Sequence, residues 1–217
     1  MSSVTIAAIA VLESPRSPPD KPKSYIFDGQ LWLDSERPLV AGFRYFNTNN
    51  DTFGEAPICC MIVANIARYS EKLFPALYSL LDKGDYDIIG DIVYLIPLPD
   101  GTDPRHAPYV HVAGTVEHSN GSECFINSSA HLIGIETSEN LSFPVTGYFP
   151  DSPRYKHGKK PVPRERTITA FGGWLTGTTG RSEHMAPETF RAQVESVAFL
   201  GHSAQVVPHP FQTESSM

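Results

Sequence analysis

The sequence predicts a mainly β protein whose C-terminal half folds into a small closed barrel. Residues 166–201 hold two strand patterns joined by a polar, glycine-bearing connection, which is typical of a long β-hairpin. The chain also holds 19 prolines among 217 residues and few helical patterns, which favours strands linked by irregular loops. A strongly bent hairpin with one polar face is a component of small closed barrels.

The first strand of this hairpin predicts where its aromatic residues point. Threonine and apolar residues alternate from Thr167 to Ala170, so one face is polar and the other apolar. The pair Gly172-Gly173 then interrupts the alternation, as a bulge or sharp bend would. One extra residue there would place Phe171 and Trp174 together on the polar face.

Three further strands precede the hairpin in the C-terminal half. Residues 109–116 alternate as a half-buried strand, and Asn120-Gly121 is a strong hairpin signal. Residues 123–127 would form the returning strand, and residues 141–153 hold a third strand. With the hairpin, residues 109–201 therefore give five strands.

The N-terminal half is predicted to be β-rich with one helix. Strand patterns occupy most of residues 25–66, and Asp28-Gly29 predicts a tight turn between two apolar runs. Leucines at helical spacing after Ser70 predict a helix that stops at Gly84. The apolar run Val4–Leu12 is expected to be a strand or an ordered arm.

These patterns divide the chain into five expected parts. They are an N-terminal arm and linker (1–24), a β-rich part with one helix (25–98), a turn-dense linker (99–108), the barrel (109–202) and a disordered tail (203–217).

The order of the C-terminal segments resembles a known barrel family. The segments are VAGTV at 112–116, FPVTGYFP at 143–150, ITAFGGWLTG at 168–177 and FRAQVESVAFLG at 190–201. They resemble the OB-folds of replication-protein-A type, which bind single-stranded DNA, and are similar to a group of largely uncharacterised fungal proteins. The resemblance implies a five-stranded Greek-key barrel and a non-catalytic module that binds single-stranded nucleic acid, with DNA expected.

A basic segment precedes the hairpin in an otherwise acidic chain. Its strong bases are Arg154, Lys156, Lys159, Lys160, Arg164 and Arg166, with Tyr155 and His157 interleaved. Such a segment can track phosphates beside a binding groove, while its aromatic rings stack on bases. The alternatives are a solvated loop or a basic patch of the nuclear-import kind.

The polar barrel face is the second candidate binding element. It would carry Phe171 and Trp174, with Tyr109 and His111 from the first strand and Arg191 and Gln193 from the last. Base stacking on such rings is worth ~1–3 kcal/mol per base and tolerates any sequence. Alternatively, the same aromatics pack on the N-terminal half or on a protein partner, which would make the chain an interaction or scaffold protein.

The sequence contains no pattern typical of duplex coating, catalysis, metal binding or membrane spanning. The net charge of −7 argues against coating a nucleic-acid duplex over the whole surface. No catalytic motif is present, so we expect no enzyme activity. The three cysteines have neither disulfide-framework nor zinc-ligand spacing, and we expect no metal and no cofactor. No apolar run is long enough to span a membrane, and we expect an intracellular protein of the nucleus or cytoplasm.

Overall fold

The computed structural model describes residues 2–33, 37–73, 81–82, 84–133, 141–155, 158–180 and 186–202. Strands dominate these residues. They are β1 (Ser3–Arg16), β2 (Ser24–Leu31), β3 (Leu39–Phe46), β4 (Ile58–Arg68), β5 (Ile88–Pro97), β6 (Tyr109–Ser119), β7 (Glu123–Ser129), β8 (Ser142–Tyr148), β9 (Thr167–Thr179) and β10 (Thr189–His202). A 3-10 turn at Pro153–Tyr155 lies between β8 and β9.

The C-terminal strands close into the predicted five-stranded barrel. Hydrogen bonding runs β6-β7-β8-β10-β9, and β9 returns to β6 to complete the ring. Strand β10 pairs parallel with β8 and antiparallel with β9. This is the Greek-key order of the OB-fold, so the predicted fold class is confirmed.

The N-terminal half closes into a second barrel of the same strand order, which was not predicted. Its ring runs β1-β2-β3-β5-β4 and closes from β4 to β1, with β3 and β5 parallel. The expected turn at Asp28-Gly29 is wrong, because both residues lie inside β2. A buried aspartate resembles a turn residue in sequence, but here Arg16 binds its carboxylate.

The first strands of the two barrels join them into one sheet. Residues 3–7 of β1 pair antiparallel with residues 109–113 of β6, with Thr5 opposite His111. Opposed residues in an antiparallel pair point to the same side of the sheet. The outer surface of one barrel therefore continues across this joint onto the other.

Every second side chain along these strands points inward, and these side chains fill the barrel interiors. In β6 and β7 the predicted inward residues Val110, Val112, Cys124 and Ile126 are all buried. In β8 Phe143 is fully buried as well. One apolar cluster runs through both interiors, and a second, separate cluster lies outside the N-terminal barrel.

The predicted bulge at Gly172-Gly173 is misplaced. Strand β9 stays regular there, and the extra residue lies opposite, at Glu195 of β10. Phe171 and Trp174 therefore point to opposite faces of β9. The predicted polar outer face of Thr167 and Thr169 is wrong, because both threonines are 8% exposed or less and face the interior. Phe171 lies on this inner face at 2% exposure, whereas Trp174 points outward and is 45% exposed. Burying a large ring inside the barrel decides which face of β9 is the inner one.

Some predictions fall on residues that the structure leaves undescribed. Most of the expected helix after Ser70 covers residues 74–80 and 83, and the expected tail is 203–217; both lie outside the described residues. The division of the chain at residues 24, 98 and 108 remains a prediction. Across the described ranges, no helix is long and apolar enough to cross a bilayer.

The close packing of β9 on β10 predicts a strong effect of one methyl group. A Cβ added at Gly173 would lie well inside 3.0 Å of the Gln193 carbonyl oxygen, which is main chain and cannot move alone. We expect Gly173→Ala to lower the free energy of unfolding by about 1–3 kcal/mol in urea denaturation. At Gly177 of the same strand a Cβ meets nothing within 4 Å, so Gly177→Ala should stay within ~0.5 kcal/mol of the parent. Equal stability of the two variants would contradict the strand packing described here.

Candidate nucleic-acid interface

A row of outward side chains crosses the C-terminal barrel at one level. Tyr109 of β6 lies opposite Trp174 of β9, and Trp174 lies opposite Gln193 of β10. Gln193 in turn lies beside Tyr148 of β8. We call these four residues the aromatic row. It places three aromatic rings on neighbouring positions of four hydrogen-bonded strands.

The β6–β9 end of the row is a compact group of rings. The Tyr109 and Trp174 ring centroids lie 5.0 Å apart at an interplanar angle of 81°, an edge-to-face arrangement. His111 makes a similar contact with Tyr109 at 5.1 Å. Gly172 lies beneath the Tyr109 ring, where a Cβ would come within 2.5 Å of the phenol oxygen. The glycine thus leaves room for the ring to lie against the sheet.

Phe171, predicted to stack beside Trp174, does not belong to this surface. Its ring packs in the barrel interior next to Gly147. The prediction assumed an extra residue in β9, and the regular alternation of β9 places Phe171 and Trp174 on opposite faces. Trp174, Tyr109 and His111 are brought together as expected, and none of these three is buried.

The predicted polar residues of β10 lie at the other end of the row. The Arg191 guanidinium lies 5.3 Å from the Tyr148 ring centroid and donates a hydrogen bond of 3.0 Å to Glu123. The Gln193 amide donates to Glu195 at 3.0 Å, and its oxygen accepts a 3.4 Å hydrogen bond from the Tyr148 hydroxyl. These contacts hold both side chains against the outer face.

Sequence reasoning missed Tyr148 as a site residue. Its strand was predicted, and its outward direction follows from the buried residues before it. What the sequence did not contain is the register of the parallel β8–β10 pairing, which brings Tyr148 beside Gln193.

The start of the basic segment borders the same face. Arg154 donates a 2.9 Å hydrogen bond to the Glu195 carbonyl oxygen, and its guanidinium lies 5.6 Å from the Tyr155 ring centroid. One cleft contains Arg154 and Tyr155, with Ser196 and Val197 on its β10 side. A second cleft runs from those same two β10 residues across β9 to His111. The two clefts share Ser196 and Val197, and we call them together the cleft path between Arg154 and His111.

The remaining bases of the segment do not lie together beside Arg154. Lys160 bridges Asp151 and the Phe149 carbonyl oxygen, both at 2.7 Å. The hydrogen bond from Lys160 lowers the pKa of Asp151 below its ordinary value. Lys159, Arg164 and Arg166 are exposed. Lys156, like His157, lies outside the described residues.

Arg166 marks how far the segment extends from the row. It has a left-handed backbone (φ 63°), and its N–H donates to the Val116 carbonyl oxygen at the far end of β6. Trp174 lies roughly 23 Å of extended strand away from the start of β9. The structure thus places Arg154 against β10 and packs Tyr155 on Phe149 at the edge of the interior cluster, whereas Arg166 lies at the opposite end of the barrel.

Cys60 and Cys124 are buried in the apolar cluster of the barrel interiors. Burial raises the pKa of Cys60 and of Cys124 to about 12, so both thiols stay protonated at neutral pH. No group of three or more His, Cys, Asp or Glu side chains is positioned to hold a metal ion among the described residues.

Strand order and closure place the chain in the OB-fold class, with two barrels in tandem. No protein-family model matches the chain, and no curated protein matches it in sequence.

Comparison with solved structures gives similar chains of low identity. The wild-type single-stranded DNA binding protein from Thermus aquaticus aligns over 94% of this chain and 95% of its own, with 9% identity and a TM-score of 0.44. A deletion mutant of the same Thermus aquaticus protein aligns over 96% and 97%, with 10% identity and a TM-score of 0.43. At these identities and TM-scores, the likeness carries no functional argument for this chain.

The position of Tyr109 over Gly172 is testable by a paired substitution. Gly172→Ala should push the phenol away from the sheet and weaken the contact of Tyr109 with Trp174, because the new methyl group overlaps the hydroxyl. We expect a shifted Trp174 fluorescence maximum with the fold retained by circular dichroism. Adding Tyr109→Phe removes the hydroxyl and should restore the parent spectrum. A Gly172→Ala spectrum identical to that of the parent would show that the ring lies elsewhere.

Proposed function

We propose that the chain is a non-catalytic protein that binds single-stranded nucleic acid, with DNA as the expected ligand, on the outer face of its C-terminal barrel. The observation that carries the proposal is the aromatic row: three outward rings on β6, β9 and β8 of an OB-fold, with Gln193 of β10 between the last two. OB-folds bind oligonucleotides on the face of their second and third strands, here β7 and β8, where Tyr148 lies. In single-strand-binding proteins, bases stack on aromatic side chains of this kind.

The spacing of the row suits unstacked bases. Neighbouring strands are ~4.8 Å apart, so Trp174 and Tyr148, with β10 between them, are separated by about 10 Å. Tyr109 and Trp174 offer one combined surface, and Tyr148 offers a second. Every base has a π face, so a platform of this kind is tolerant of sequence.

Cations at both ends of the row would meet phosphates. Arg191 lies over Tyr148 and Arg154 borders the cleft path from His111. Lys159, Arg164 and Arg166 would meet a longer strand as it passes around the barrel end. The net charge of −7 makes these local cations the main attraction for a polyanion.

A protein-interaction role is the alternative, and exposed apolar residues favour it. Phe199 and Leu200 at the end of β10 are 58% and 55% exposed, and Val93 and Tyr94 of β5 are 64% and 57% exposed. Exposed apolar patches mark interaction surfaces in soluble proteins. Chains that self-associate at all salt concentrations and ignore oligonucleotides would favour this role.

Truncating the central ring tests the nucleic-acid proposal. Trp174→Ala should weaken the binding of a fluorescein-labelled oligothymidylate roughly 5- to 150-fold in fluorescence anisotropy at low salt, since stacking contributes ~1–3 kcal/mol per base. Tyr94→Ala removes an exposed ring of the N-terminal barrel, 57% exposed against 45% for Trp174, and should leave the affinity unchanged. Absence of binding by the parent chain at low salt would remove the proposal, because phosphate contacts are strongest there.

The phosphate role of Arg154 predicts a change in salt dependence. Arg154→Gln should reduce the slope of log K against log salt concentration by about 0.7, the value per phosphate contact on a single strand. Arg105→Gln is the matched control, since Arg105 is 73% exposed and pairs with Asp103 in the connection before β6. Equal slopes for the parent and both variants would exclude Arg154 from phosphate contact.

A further inference from the structure

We propose that only the C-terminal barrel takes a strand, because the chain's own residues cover the N-terminal counterpart of the Tyr148–Gln193 end of the row. The counterparts of Tyr109 and Trp174 are Thr5 and Asn65, which carry no aromatic ring. The inference rests on the proposed function and adds which of two barrels of equal topology performs it. Equivalent strands are β2, β3 and β5 in the N-terminal barrel and β7, β8 and β10 in the C-terminal barrel.

Most of the outer face formed by β2, β3 and β5 is buried. Its outward residues Ile26, Asp28, Ile89 and Asp91 are 6% exposed or less, and Arg44 of β3 is partly exposed. At the equivalent positions of the C-terminal barrel, Phe125, Thr146, Tyr148, Arg191 and Gln193 are all partly exposed. The same topology thus presents one closed and one accessible face.

Residues from both halves of the chain cover the closed face. Tyr69, Leu73 and Tyr86 come from the connection between β4 and β5, and pack with Ile26 and Ile89 in the outer apolar cluster. Leu132 and Leu141 belong to the same cluster and come from the connection between β7 and β8. The C-terminal barrel therefore contributes to closing the N-terminal one.

The cations of the closed face are already bound to carboxylates. Arg16 donates two hydrogen bonds to Asp28, at 2.6 and 2.8 Å, and the Tyr86 hydroxyl donates to the same carboxylate. Arg44 donates to Asp91 at 2.7 Å. Bidentate binding of a carboxylate uses the same guanidinium fork that would bind a phosphate. The Arg191–Glu123 pair of the C-terminal barrel has side chains that are 42% and 35% exposed, whereas the Arg16 and Arg44 side chains are only 15% and 19% exposed and hold more deeply buried carboxylates. An incoming strand would therefore reach Arg191 more easily than Arg16 or Arg44.

The difference between the two faces is clearest at the paired residues of the parallel strands. Arg44 lies beside Asp91 across the parallel β3–β5 pair, where the C-terminal barrel has Tyr148 beside Gln193 across β8–β10. Burial raises the pKa of Asp91, although Arg44 acts in the opposite direction together with the backbone N–H of Ile133 and with His131. Both of the latter residues lie on the β7–β8 connection.

Counting bound strands tests the inference on the full chain. A short oligothymidylate of about 8 nucleotides fits a single OB-fold, so two working barrels would take two per chain. We expect isothermal titration calorimetry at low salt to give one per chain. Trp174→Ala combined with Tyr148→Ala should weaken that binding at least roughly tenfold. Phe46→Ala combined with Tyr94→Ala, the matched pair on the N-terminal barrel, should change neither affinity nor stoichiometry.

The two tryptophans allow binding to each barrel to be followed separately by fluorescence. Trp32 follows β2 of the N-terminal barrel and Trp174 lies in the aromatic row, so Trp32→Phe and Trp174→Phe each leave one reporter. Saturating oligothymidylate should quench Trp174 and leave Trp32 unchanged. Two octamers per chain, one of which survives the Trp174→Ala and Tyr148→Ala substitutions, would overturn this inference and leave the proposed function standing. No binding by the parent chain would remove the proposed function, and with it the basis of the inference.

Discussion

Barrel closure between β9 and its two neighbours is the constraint on which the candidate surface depends. Closure requires β9 to hydrogen-bond β6 on one side and β10 on the other, so its side chains can only point into the core or out. With Phe171 inside, Trp174 must be outside and must lie between Tyr109 and Gln193. Of the three irregularities in the β9–β10 pairing, the one opposite Gly172-Gly173 lies in β10, where Glu195 is the extra residue. The same irregularity presents the Glu195 carbonyl oxygen to Arg154.

The two barrels show how one topology supports two different surfaces. In the N-terminal barrel the outer face of β2, β3 and β5 carries Asp28 and Asp91, and burying a carboxylate requires a partner. Arg16 and Arg44 supply those partners, and apolar residues from two connections cover the pairs. In the C-terminal barrel the corresponding residues are Tyr148, Gln193 and their neighbours, which can remain in contact with water without a buried charge. Fold alone therefore does not decide which barrel carries a function.

Charge is distributed unevenly over the surface of this acidic chain. The basic segment between β8 and β9 does not act as one unit: Lys160 is paired with Asp151, Arg154 borders the cleft path and Arg166 lies beside the end of β6. Basic residues that are neighbours in sequence need not lie on the same surface, and a bound strand contacts only the side chains on the surface that it follows. Arg191, which is distant in sequence from most of this run, lies closer to the aromatic row than Arg166 does.

The sequence by itself determined the mainly β class, the five strands of the C-terminal half and the inward residues of β6, β7 and β8. It could do so because polar and apolar residues alternate with period two along a half-buried strand, and this pattern does not depend on which strand pairs with it. The sequence also predicted that Trp174, Tyr109 and His111 lie on the same face of the barrel. Only the tertiary structure decided that the N-terminal half closes into a second barrel, that Phe171 points inward and that Tyr148 joins the row. Those outcomes depend on register, on closure and on which strand carries a bulge, and each is set by hydrogen bonds between residues far apart in the chain.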